Sequence, residues 1–269
     1  MRRLVERYET GNGVAVDAEL AKAWNAKAAQ AGDEVAKFKT SALYATLRKS
    51  PAKQDALTGA LGILDAPHES IRQVNIHGAD AVRAFVMSDP FFATSMTGKR
   101  EADYRFDGVL FEGDNSTTNF NRHCSSNGRI AHQVEVVTTA KFDVKVENDV
   151  DSALGGLMYL RSSSDSGWSA PTRRSKIDSL ESIEGQPFPL RPGKRFGLNY
   201  RYGDGGEQQF TLACMATGAP QNVPFFRAVF GPLTPLVCLE SQAVGGANYY
   251  GATVFYWDES SGCFVKDNR

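Results

Sequence analysis

YETGNGVAVDAELAKAWNAKAAQAGD, residues 8–33, is the stretch that decides how the N-terminal part of this chain folds. Asp17 is a good helix N-cap, Glu19 places a negative charge in the first turn, and Gly32 is suited to a left-handed C-cap, so one helix is bounded at both ends. Inside it Leu20, Trp24, Ala28 and Ala31 recur at steps of four, four and three, which predicts one packed face, with Lys22, Asn25, Lys27 and Gln30 on the wet side. Upstream, Gly11 and Gly13 predict a tight turn after the short run Leu4 to Tyr8. The unit reads as helix, glycine turn, helix, with small alanines letting the helices approach closely.

The order of Tyr8, Gly11, Gly13, Val14, Asp17, Ala21, Trp24, Lys27, Ala28, Ala29, Gly32 and Asp33 resembles a Sel1-like repeat, a relative of the tetratricopeptide repeat. Residues 34–44 (EVAKFKTSALY) fit the first helix of a further repeat, after which LRKSPAKQD replaces the next glycine turn. Such units bury their faces only against neighbours, and about three are usually needed for stability, so this short array must lean on the rest of the chain. The resemblance implies a partner-binding scaffold in which Tyr8, Gly11, Gly13, Trp24, Ala28 and Gly32 are packing residues. On that reading Trp24→Ala costs about 3–5 kcal/mol if the ring is fully buried.

Working outward, residues 54–64 and 79–87 read as further helices, closed by Ala66-Pro67 and Asp89-Pro90. From residue 103 the texture becomes alternating and aromatic. Strands are predicted over 103–113, 131–146, 154–161, 196–202, 208–215, 233–240 and 247–257, with a polar loop over 114–129. The fold class is therefore α+β: a helical Sel1-like region over 1–92 packed on an antiparallel, sandwich-like or strongly curved β domain over 103–269, the two sharing a core. Phe91 and Phe92 are expected at their interface.

Cys124, Cys214, Cys238 and Cys263 all fall in the β part. An even number there predicts two disulfides and an oxidising compartment, against the alternative of four buried thiols. Three connectivities are open, and Cys214 with Cys238 is preferred because neighbouring late strands would bring them together. No spacing is that of a zinc site.

Basic and acidic residues number 30 and 31, and neither half carries a strong single-sign field, which argues against nucleic acid and anionic membrane as direct partners. No apolar run is long enough to span a bilayer, and the start MRRLVERYETG lacks a signal peptide's apolar segment. Against the Sel1-like pattern the first half of helix one is missing, as in a chain trimmed of its export signal, with a native short start as the alternative. There is no nucleophile elbow, HExxH or P-loop. His123 and Cys124 are adjacent on an extended segment and so point to opposite faces, and GDGGE at 203–207 suits a hairpin turn better than a calcium loop. Trp168 with Arg173 and Arg174, in a polar loop expected over 162–176, has the composition of a binding hot spot, or alternatively of a loop folded back on the sheet with Trp168 as its anchor. Outward members of Tyr249, Tyr250 and Phe255 to Trp257 come second.

A short repeat array on a cysteine-bearing β domain resembles the periplasmic immunity proteins of type VI secretion systems that are paired with lipase or phospholipase-D effectors. That resemblance implies a non-catalytic inhibitor that covers a toxin's active site, with a protein partner and no cofactor. An envelope scaffold or adaptor, and a periplasmic hydrolase with a site assembled from scattered residues, are the alternatives.

Overall fold

Helix α1 (Arg2–Thr10) ends at Gly11, whose left-handed backbone lets its N–H reach the Arg7 carbonyl. Helix α2 (Ala18–Gln30) begins where the Asp17 carboxylate accepts from the N–H groups of Glu19 and Leu20, as its sequence predicts. Gly13 and Gly32 also have positive φ. These features are found in a computed structural model that describes residues 1–50, 53–94, 100–109, 117–139, 144–165, 173–203, 208–223, 232–244 and 247–266.

The packed face of α2 is rotated from the predicted one. Ala21 and Ala28 are buried, whereas Leu20 is 43% exposed and Ala31 is exposed. Trp24 is half-buried, with the Lys27 ammonium 4.7 Å from its ring centroid. The neighbours of α2 are α1 and α3 (Glu34–Lys39), and the small alanines are what face them. The single helix expected over 34–44 is two, α3 and α4 (Ala42–Lys49). Between them Thr40 Oγ1 donates to the Lys37 carbonyl at 2.8 Å, and Ser41 Oγ accepts from Tyr44 N at 3.1 Å. Hydroxyls that bond the local backbone stop one helix and start the next.

Helix α5 (Gln54–Asp65) carries the helical layer's contact with the sheet. Its buried side is Ala56, Leu57, Gly59, Ala60 and Ile63. Gly59 is required by close approach, since a Cβ there would fall within the Val237 side chain. The C-terminal end of α5 is satisfied from the sheet side by Arg195 Nη1, 3.0 Å from the Ile63 carbonyl.

After α5 come β1 (Ile71–His77), α6 (Ala79–Ser88) and a single 3-10 turn at Pro90–Phe92. The strands continue as β2 (Arg100–Val109), β3 (Thr117–Ser126), β4 (Ile130–Thr139), β5 (Val144–Ala153), β6 (Met158–Asp165) and β7 (Arg173–Glu184). They end with β8 (Arg195–Gly203), β9 (Gln208–Ala216), β10 (Thr234–Val244), β11 (Ala247–Asp258) and β12 (Cys263–Lys266). From β2 to β12 each strand pairs antiparallel with its sequence neighbours. Strand β1, inside the stretch expected to be helical, pairs with the second half of β7, beyond the part that β6 covers.

This is one continuous meander that curls into a nearly closed barrel, the strongly curved alternative and not two stacked sheets. Closure falls where β12 comes beside β3, and the disulfide Cys124–Cys263 joins those strands. Residues 114–129, read as a loop, hold β3, and 131–146 holds two strands instead of one.

Alternation along the late strands assigns the two faces. Leu212, Cys214, Leu236, Cys238 and Trp257 join the barrel core, while Ala213, Met215, Val237, Leu239, Ala252 and Val254 pack outward against α4 and α5. The second disulfide, Cys214–Cys238, links directly opposed residues of β9 and β10, as preferred from the sequence. Phe91 and Phe92 are fully buried in the barrel core with Val82 and Val86 of α6.

Candidate functional site

The helical layer supplies the first surface. Helices α1 and α2 pack on each other and α2 on α3, while α5 and α4 make the layer's contact with the strands. This leaves a groove of about 580 Å³ whose walls include Tyr8, Glu9, Lys22, Lys39, Tyr44 and Arg48. Tyr8 and Tyr44 are half-buried and Arg48 is exposed, so rings and a guanidinium border an open concavity. Lys39 and Glu9 are paired across it at 3.4 Å. Tyrosine and arginine combined in this way suit a protein surface more than a small polar substrate. Val16, at the groove's edge, is 66% exposed.

A second concavity of about 570 Å³ lies between the helices and the outer sheet face, with Lys37, Phe38, Leu64, Ala213 and Tyr250 among its lining. Tyr250, one of the outward aromatics anticipated from alternation, is 39% exposed there. The link between layers runs beneath it. Buried Glu184 accepts from Glu69 N at 3.1 Å and contacts His68 Nδ1 at 3.1 Å. Arg195 Nε is 3.0 Å from the same oxygen, an ion-pair contact without an aligned hydrogen bond. The group anchors the chain between α5 and β1 on β7 and β8.

The sequence reading gave no weight to the cross-strand row Ser125, His132 and Asp151. Register places Ser125 opposite His132 and His132 opposite Asp151 on β3, β4 and β5. His132 Nδ1 lies 3.1 Å from Asp151 Oδ1, the geometry of a carboxylate orienting a base. No hydrogen bond joins Ser125 to His132. The other oxygen of Asp151 is engaged by Arg83 at 3.2 Å and Arg161 at 3.3 Å, which makes this an ion-pair network as much as a half-triad. Only register could have revealed it, because the three residues are dispersed in sequence.

Burial alone would raise the Asp151 carboxyl, but the His132 hydrogen bond and the two guanidinium groups outweigh it and hold the carboxyl below its usual range. The folded state therefore binds this proton less readily than the unfolded chain. The stabilisation is complete above an ordinary carboxylate's titration near pH 4 and is lost as pH falls through the lower folded value. Asp151→Asn is expected to cost about 1.5–3 kcal/mol at pH 7, with the gap to wild type narrowing below about pH 4. Urea unfolding at several pH values measures this, and a gap that widens in acid contradicts it.

Of the hot-spot residues proposed from sequence, Trp168 lies outside the described residues, Arg173 begins β7, and Arg174 is exposed opposite Ser163 of β6. The turn at 204–207 is likewise outside them. Arg174 and the helical groove belong to separate elements, and no described contact joins them. Among the described residues no group of His, Cys, Asp and Glu is arranged to hold a metal ion, and no helix is long and apolar enough to cross a membrane. Comparison with family models, curated proteins and solved structures gives no match.

Proposed function

We propose that this chain is a non-catalytic protein inhibitor of the bacterial periplasm, an immunity protein that neutralises a type VI secreted lipase or phospholipase effector by covering its active site. The observation that carries this reading is the groove bordered by Tyr8, Tyr44 and Arg48, formed within a helical layer that is anchored on the barrel through α5 and α4. The Sel1-like order of residues 8–33 supports it, since such repeats serve recognition. Two disulfides fit an oxidising compartment. A cytosolic adaptor built on the same repeat would have little use for them.

The test is direct binding to a purified effector lipase or phospholipase, with nanomolar affinity and stoichiometric loss of lipid hydrolysis as the expected result. Lys22→Ala with Arg48→Ala, both exposed on the groove's walls, should weaken binding at least about tenfold while leaving unfolding stability nearly unchanged. Alanine at Trp168, Arg173 and Arg174 tests the β6–β7 end as a second contact, and unchanged inhibition removes that surface. Binding without any inhibition favours an envelope scaffold.

The row Ser125, His132 and Asp151 favours one second reading, an envelope hydrolase. Covalent labelling by a fluorophosphonate that Ser125→Ala abolishes would replace the inhibitor reading with this one.

A further inference from the structure

Inside the barrel is a cavity of about 320 Å³, at the small end of ligand sites, with walls drawn from β4, β5, β6, β8, β9, β10, β11 and β12. Its lining combines aromatic rings with polar side chains, among them Gln133, Asn148, Gln208 and Glu240. Tyr200 stacks on Phe210 with ring centroids 5.3 Å apart, and Tyr202 meets Phe210 edge to face at 6.4 Å. The Tyr202 hydroxyl donates to Ser162 Oγ at 2.7 Å, which fixes that wall. A barrel needing only a filled core would carry aliphatic side chains here, as it does lower down with Leu180, Leu198 and Leu236.

One lining group is not accounted for by packing. Glu240 faces the cavity from β10, on the same alternation as Leu236 and Cys238, and burial pushes its carboxyl above the usual range, with Lys266 offsetting this only in part. Lys266 stands beyond ion-pair distance, and among the described residues no side chain hydrogen-bonds the Glu240 carboxylate. Tyr200 is 5% exposed and lines the same space with its ring stacked on Phe210. The two groups are close enough to interact electrostatically. A carboxylate set among aromatic faces, with no ion-pair partner within reach among the described residues, suits a ligand that carries positive charge.

The geometry points to the barrel lumen as a binding site for a small organic cation, its protonated amine seated against Glu240 and the Tyr200 hydroxyl and its apolar body against Phe210 and Tyr202. The site lies on a different element from the helical groove and stands whether or not that groove binds a toxin. Gln208, held by Gln242 at 3.1 Å, borders the same space and supplies a polar rim.

Calorimetric titration with 2-phenylethylammonium, spermidine and choline, against neutral 2-phenylethanol and N-acetylglucosamine, tests it on the full chain. At least one of the cations should bind, and 2-phenylethylammonium should bind at least about tenfold more tightly than the isosteric alcohol. Glu240→Gln should remove that preference, and Tyr200→Phe should weaken cation binding several-fold. Both variants must keep their disulfides and unfolding midpoint, and Val254→Ala on the outer face of β11 serves as a packing control that should retain the cation preference. Equal affinity for amine and alcohol, tighter binding of the neutral sugar, no binding up to about 10 mM, or a Glu240→Gln variant that still selects the cation would each overturn the assignment.

Discussion

Replacing Cys124 and Cys263 together by alanine is expected to cost about 4–5 kcal/mol of unfolding free energy, the larger of the two disulfide effects. The bond closes a loop of 139 residues, so cutting it returns more conformational freedom to the unfolded chain than cutting Cys214–Cys238, which closes 24. Native geometry pushes in the same direction. Cys214 and Cys238 already face one another across a hydrogen-bonded ladder, so β9 and β10 stay paired without their sulfurs. Strand β12 has only four residues and among the described residues pairs with β11 alone, and its seam with β3 is covered by the small cluster Cys124, Ala131, Cys263 and Val265. Without the bond, the barrel's closing strand loses its covalent tie to β3. Denaturant unfolding of the two double-alanine variants measures the difference. Cys214→Ala with Cys238→Ala should cost about 3 kcal/mol, and a greater loss there than at Cys124 and Cys263 would show that the seam does not limit stability.

Much of this architecture can be read in residues whose physics is local. Asp17 and Gly11 declare helix ends because capping and left-handed backbone are satisfied within a few residues. The alternation in 208–215 and 233–240 declares strands because one face packs inside the barrel and the other under α5. Strand β3 is hidden for the converse reason. TTNFNRHCSS has turn-forming residues and little β propensity, and its pairing is imposed by β2 and β4 on either side. Strand β12 is too short to show a period.

Sites assembled across strands are hidden for a further reason. Tyr200, Phe210 and Glu240 converge only when β8, β9 and β10 are placed side by side, and Ser125, His132 and Asp151 only in register. The Cys214–Cys238 pairing was legible because a single hairpin brings those residues together. Cys124–Cys263 was left over by elimination, with nothing in the sequence to show that the sheet's two ends meet.

Trp257→Ala is expected to cost about 3–5 kcal/mol, and Trp24→Ala much less, which reverses the weight that the resemblance to a Sel1-like repeat would put on Trp24. Trp257 is 4% exposed at the end of β11, with its ring centroid 4.7 Å from those of both Phe188 and Phe264. It lies against Gly155, where a Cβ would meet the indole, so the backbone has been kept bare to admit the ring. Truncation there opens a cavity between the stretch after β7, β12 and the turn before β6, three segments that cannot close on it without shifting the barrel floor. Trp24 has no such enclosure. One side is solvent, where Lys27 covers the ring, and its loss removes partial burial and a cation–π contact worth about 0.5–1 kcal/mol, for a total near 1–2 kcal/mol. Denaturant unfolding of the two single variants, followed by far-ultraviolet circular dichroism, decides between them. A Trp24→Ala loss equal to that of Trp257→Ala would mean that the helical layer, and not the barrel, governs the cooperative unit.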